Sequence, residues 1–342
     1  MNIKERNYGC RLQEISIYGF KSLILENEVL RAMMILDKGC EIVEFNYKKM
    51  DLDFVWRTPN GLDSLKNFSR DYSDDFTLTD YYTGGWFEAF PVCGSGGDYF
   101  GTHMPIYGEV CYLPWDYDVL KDDENEIIVK TFCKTLRSPY YLEKIISLKS
   151  KEPALFIEDS IKNLSLQKLQ FNIGYHPNFG KSFINNNLEF KVPDCEVEIL
   201  WSHENSRFGP YEKGEWPYLK DKKNKTQDLR IVPVKGSKVN EIINLKNLKD
   251  GFIEIKNRNK ATGIKVSFDK KIFKNAILWI VRNGDTGYPR FGNTNVVCVL
   301  PKSNHFITME DVINNKDYIE IEPDEIISTW IKYEILKNNE SI

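Results

Sequence analysis

Leu142-Glu143-Lys144-Ile145-Ile146-Ser147-Leu148 decides the architecture. Apolar and polar residues alternate through most of this run, and a period of two sends successive side chains to opposite faces of a half-buried β-strand. The pattern recurs on either side. Beyond the turn at Lys151-Glu152-Pro153, residues Leu155, Ile157, Asp159 and Ile161 fall on one face of the next segment. Ile253-Glu254-Ile255, Ile264-Lys265-Val266-Ser267-Phe268, Ile319-Glu320-Ile321 and Trp330-Ile331-Lys332-Tyr333-Glu334-Ile335 repeat it. Residues 276–281 and 296–300 are continuous apolar runs, as expected of strands buried on both faces. Helical signals are few: a short helix over residues 63–70 and a turn or two within 303–314. No internal repeat and no low-complexity linker interrupts the pattern. The chain is expected to be all-β, a large antiparallel sandwich with few short helices and long loops on one face, with residues 1–342 forming a single domain.

Composition narrows the function. The 342 residues carry 46 basic and 50 acidic side chains, and the net charge of −4 is interspersed, which favours neither nucleic acid nor an anionic membrane surface as partner. The short basic run at 220–225 reads as a solvated loop. The N-terminal residues are polar, and no apolar run reaches membrane-spanning length, so a cytoplasmic protein is expected. The seven cysteines are odd in number and form no C-x-x-C pair, which implies neither a disulfide framework nor a zinc ribbon. They read as buried thiols.

The chemistry concentrates in loops. Gly84-Gly85-Trp86-Phe87-Glu88-Ala89-Phe90-Pro91 leads on to Tyr107-Gly108-Glu109-Val110 and Leu113-Pro114-Trp115. Glycine and proline make such a segment irregular and let backbone approach a ligand. Tryptophan supplies a flat apolar plate, and carboxylates accept hydroxyl hydrogen bonds and move protons. Plates with carboxylates suit a sugar ring; the alternative is an aromatic loop that plugs the sandwich. His176 follows a strand-like segment and precedes Pro177, a position that presents a side chain to a cleft. Its structural alternative is a half-buried histidine bonded to a loop carbonyl. Arg57 stands at a strand end and can fork onto vicinal hydroxyls or a phosphate, or form a surface ion pair. Arg282 and Arg290 flank the turn-rich Gly284-Asp285-Thr286-Gly287-Tyr288-Pro289, which either may simply brace. Gly94-Ser95-Gly96-Gly97 has no lysine or helix behind it and is no phosphate loop. Cys93, His103 and Cys111 fit no zinc spacing, so no metal is expected. The absence of a G-x-S-x-G elbow argues against a serine hydrolase.

Taken in order, these segments resemble the galactose mutarotase-like superfamily, the aldose 1-epimerases and their relatives. Asp37-Lys38-Gly39-Cys40-Glu41-Ile42 looks like its early glycine-bearing strand, followed by Phe54-Val55-Trp56-Arg57-Thr58-Pro59. Gly84-Gly85-Trp86 through Phe90-Pro91 resembles the family's "GGW…FP" loop. Tyr107-Gly108-Glu109 with Pro114-Trp115 resembles "HGE…PW", His176-Pro177-Asn178-Phe179-Gly180 resembles "HP.FG", and Gly287-Tyr288-Pro289 through Gly292 resembles "GYP..G". The resemblance implies a β-supersandwich and a cofactor-free reaction on a small carbohydrate. In that reaction a base removes the anomeric proton, an acid protonates the ring oxygen, and the opened sugar recloses on its other face. A monomer or homodimer is expected.

The departures bear on the chemistry. His176 occupies the place of the family's acid. Tyr107 stands where a second histidine starts the "HGE" segment. The late-strand glutamate before a proline, the family's base, is replaced: the stretch reads Val297-Cys298-Val299-Leu300-Pro301. The resemblance therefore implies His176 as acid with Glu109 or Glu88 as a substitute base, and Arg57, Trp86, Tyr107, Arg282 and Arg290 around the sugar. Its alternatives are a catalytically silent sugar-binding protein and an isomerase acting on a modified or acidic sugar.

Overall fold

The computed structural model describes residues 6–59, 61–62, 82–180 and 182–337. Two large sheets lie face to face. The central strands of the larger run in the order Glu41–Tyr47, Trp86–Ala89, Gly174–Phe179, Asn295–Lys302, Asn275–Arg282, Val239–Lys246. The smaller runs Leu188–Lys191, Phe252–Asn257, Thr262–Phe268, Ile326–Lys337, Ala154–Asn163, Tyr140–Lys149, Glu126–Lys134, Asp116–Asp122. These neighbours pair antiparallel. The all-β antiparallel sandwich read from the period of two is the observed architecture. The turn-rich 303–314 segment contains a helix, Met309–Asn314, capped by the Thr308 hydroxyl, which accepts from the Asp311 N–H. The helix expected over 63–70 lies outside the described residues.

The strand Tyr140–Lys149 alternates as expected, with one addition. Leu142, Lys144, Ile146 and Leu148 all face inward. Lys144 is tolerated there because the Glu88 carboxylate of the opposite sheet meets its ammonium at 2.6 Å. Asp159, on the same face as Leu155, Ile157 and Ile161, completes the buried cluster and accepts a short hydrogen bond from the Tyr175 hydroxyl. Burial and the neighbouring Glu88 push the Asp159 carboxyl up.

The larger sheet is buried on both faces, as the two continuous apolar runs require. Val297, Val299, Leu278 and Ile280 join the core between the sheets. Residues of the other parity, Val296, Cys298, Leu300, Trp279 and Val281, pack on the opposite face with Ala89 and Trp56. That second face carries an aromatic-lined cavity.

Candidate functional site

The cavity encloses about 740 Å³ and opens on the outer face of the larger sheet. Its size suits a small sugar or a somewhat larger ligand. His176, Trp279, Cys298 and Leu300 form its floor from three adjacent strands, with Tyr82 and Tyr107 on one wall. Trp201 and Tyr211 stand at its mouth, 51% and 76% exposed. Arg290, Lys302 and Asp311 supply charge.

Strand parity and two glycines set this geometry. The register that pairs Gly174 with Lys302 and Asn178 with Cys298 places His176 across from Leu300. Trp279 pairs with Cys298 and Ile277 with Leu300 on the other side. Gly84 and Gly85 have φ of +95° and +65°. A Cβ on the first would strike the Trp56 carbonyl oxygen, and one on the second the Glu41 carboxylate, so glycine alone brings the chain past them to Trp86.

His176 is wrapped in rings. Phe87 stacks on it at 4.8 Å and 11°, Tyr107 meets it edge-on at 5.2 Å, and Trp279 lies 6.1 Å away. Its Nδ1 contacts the Cys298 sulfur at 3.4 Å. Burial lowers its pKa from 6.5 to about 3, so the imidazole is uncharged at neutral pH. The linkage has a definite sign. The unfolded chain takes a proton near pH 6.5 and the folded chain does not, so stability is complete above pH 6.5 and is lost as pH falls toward 3. At about 1.4 kcal/mol per unit, urea unfolding should show the native chain losing roughly 2 kcal/mol more than His176→Phe between pH 7 and pH 5. Equal losses in the two proteins would place the imidazole in contact with water.

Several polar groups at the cavity lack partners among the described residues. The Tyr82 hydroxyl and Arg290 Nε are buried and unbonded. The Arg290 guanidinium lies 4.7 Å over the Trp279 ring and pairs with Asp285 at 2.6 Å. The turn from Gly287 to Arg290 holds it there, the Arg290 N–H donating to the Gly287 carbonyl. Lys302 donates to the Phe306 carbonyl at 3.0 Å, and burial lowers its pKa.

Of the residues singled out from sequence, His176, Tyr107, Arg290 and Leu300 meet at the cavity. The other five do not. Trp86 is 2% exposed, donates to the Asn178 carbonyl at 2.9 Å and packs on Phe45, Phe179 and Tyr333 in the core between the sheets. It is a core residue and not a sugar plate. Glu88 shares that inward parity and is committed to Lys144. Glu109 is 5% exposed and accepts from the N–H groups of Leu136, Arg137 and Ser138 and from the Ser138 hydroxyl, at 2.6–3.1 Å. It staples a strand-connecting turn and faces away from His176. Arg57 and Arg282 line a separate cleft on the other side of the sheet. Trp279, Trp201, Tyr211, Tyr82 and Lys302 enter unannounced. For Trp279 the signal was present, since its parity is that of Cys298 and Leu300 across the ladder.

No protein-family model matches the chain, and no curated protein does. Solved structures do. A candidate aldose 1-epimerase from Klebsiella pneumoniae superposes with a TM-score of 0.70 at 13% identity, over 96% of this chain and 88% of the other. A galactose mutarotase-like protein from Clostridium acetobutylicum gives 0.65 at 16% identity, over 96% and 99%. The fold is that of the galactose mutarotase-like proteins. A galactose mutarotase related enzyme from Lactobacillus acidophilus extends the likeness, with 0.61 at 13% identity over 94% and 99%. The mutarotase-like fold thus runs through nearly the whole chain, as the ordered motifs implied. At these identities the likeness speaks for the fold, and function has to be argued from the cavity. No group of metal-ligating side chains occurs among the described residues, and none of their helices is long and apolar enough to cross a membrane.

Proposed function

We propose that the chain binds a carbohydrate in the His176 cavity and does not interconvert the anomers of ordinary free hexoses. One observation carries this reading: Leu300 lines the cavity across from His176, at the position where the resemblance places the proton-accepting carboxylate that anomer exchange needs. The substitute bases are engaged elsewhere, Glu88 with Lys144 and Glu109 with a turn. His176, uncharged at neutral pH, is a poor acid for the ring oxygen. What remains is a binding surface: aromatic rings for the C–H faces of a sugar, and the unbonded Tyr82 hydroxyl and Arg290 Nε for its hydroxyl rim.

A second reading is favoured by Lys302, a cavity cation with no ion-pair partner among the described residues, beside Arg290, which is already paired with Asp285. This lysine supports a sugar bearing an anionic substituent. Calorimetric titration with glucose, galactose and their 6-phosphates tests both. Trp201 and Tyr211 are exposed, so truncating either should leave the fold intact. A lost aromatic contact is worth about 0.5–1.5 kcal/mol, and Trp201→Ala should weaken sugar binding roughly two- to tenfold. No saturable heat from any of the four ligands would remove the carbohydrate reading, and equal affinity for free and phosphorylated sugars would remove the anionic one.

A further inference from the structure

We propose that the cleft around Arg282, on the face of the larger sheet opposite His176, is a second binding site that takes a small oxyanion, a phosphate or carboxylate group. Arg282 ends the Asn275–Arg282 strand and pairs with Asn295. Both have the parity of the residues that face the sheet-to-sheet core, opposite to Trp279 and Cys298. There they border a cleft of about 620 Å³ with Arg57, Thr58, Ser182, Lys235 and Asn293.

The anomaly is an unmatched charge. Arg282 is 1% exposed, yet among the described residues the only hydrogen bond of its side chain runs from Nη2 to the Asn185 carbonyl at 3.0 Å, and its Nε has no partner. Burial lowers its pKa, to about 10, and no carboxylate among the described residues offsets it. A buried cation is ordinarily paired, because desolvation is costly. Among the described residues the single carboxylate lining the cleft, Asp53, lies 3.4 Å from Arg57 and accepts from the N–H groups of Phe45 and Val55. Among the described residues three cations, Arg57, Lys235 and Arg282, therefore border the cleft with one carboxylate. The guanidinium fork with an unused N–H suits oxyanion geometry. Asn295 and Ser182 add neutral hydrogen-bonding groups, and exposed Lys235 stands at the entrance.

Thermal unfolding of the full chain, titrated with sodium phosphate or sodium acetate against sodium chloride at constant ionic strength, tests the proposal. At least one anion should raise Tm saturably beyond chloride. The phosphate arm identifies a phosphoryl ligand and the acetate arm a carboxylate. Lys235→Ala should shift the half-saturating concentration upward at least threefold without changing the ligand-free Tm. Arg282→Met should abolish the response and leave the ligand-free Tm equal or higher, because it removes an uncompensated buried charge. Glucose and galactose binding at the His176 cavity should be unchanged in Lys235→Ala, so failure of this site and failure of the carbohydrate reading are separable. No response beyond chloride from either anion, or a response unaltered in Lys235→Ala, would overturn the proposal, even if Arg282→Met does not fold.

Discussion

Replacing Lys144 by methionine is expected to cost the fold about 3–5 kcal/mol, the usual consequence of stripping one partner from a buried ion pair. Lys144 is 4% exposed and holds Glu88 at 2.6 Å, with Asp159 beside them and the ammonium 4.6 Å over the Trp115 ring. Without it, two buried carboxylates face each other between the sheets. A proton is the nearest substitute for the lost cation. A carboxylate raised in the folded state holds its proton at a pH where the unfolded chain, titrating near 4, has lost it. The sign follows: the variant should regain stability as pH falls from 7 toward 5, relative to the native protein measured alongside. Glu88→Leu added to Lys144→Met should recover part of the loss, because only one carboxylate is then unpaired. Urea unfolding reads all three. A loss below about 1 kcal/mol, or a loss insensitive to pH, would mean that Lys144 is not the charge that balances this cluster.

Replacing Leu300 by glutamate is expected to create mutarotase activity. The substitution sets a carboxylate across from His176, between Cys298 and Lys302 along its own strand. Arg290 and Lys302 border the same cavity and offset the charge of a carboxylate placed there. The carboxylate also favours the charged imidazole, raising the His176 pKa from its buried value and giving the acid a proton to donate. A positioned general base contributes roughly 10²–10⁴-fold, so a rise on the order of 10² in anomer exchange over the native protein is expected. Leu300→Gln has the same shape and no base, and should give no rise. Leu300 also packs with Trp279 and Cys298, so near-ultraviolet circular dichroism has to show an ordered fold before rates are compared. An ordered Leu300→Glu protein with no gain would place the anomeric carbon elsewhere than between residues 176 and 300.

The period of two made the architecture legible, because burial of one strand face leaves its mark on every second residue. It even placed Asp159 correctly, on a face shared with Leu155, Ile157 and Ile161 that points inward; Lys144, read only as a polar residue of an alternating run, shares the inward face of its own strand. What the pattern withheld was their partner. Trp86-Phe87-Glu88-Ala89 has a bulky apolar residue at either parity, and nothing within the run says which face meets the cavity. The structure sends Trp86 and Glu88 inward and Phe87 and Ala89 outward, which reverses the roles the tryptophan and carboxylate suggested. Glu109 sits in a loop with no period at all, and its destination is a turn 27 to 29 residues later in the chain. His176, Tyr107, Arg290 and Leu300 were legible because ordered motifs located them, independent of face. Trp201 and Tyr211 belong to an irregular stretch with neither motif nor period, and only the folded chain brings them to the cavity mouth.

A sugar cavity without anomer exchange can be checked by polarimetry on the unmodified protein. Freshly dissolved α-glucose and α-galactose are followed at neutral pH with and without protein, at concentrations where calorimetry shows the site occupied. Saturable binding of a sugar is expected, with rotation decaying at the rate of the buffer control. Rapid, protein-dependent decay rules this out, because a proton acceptor is then at work in a cavity whose floor carries Leu300; loss of that decay in Glu88→Gln or Glu109→Gln identifies the acceptor.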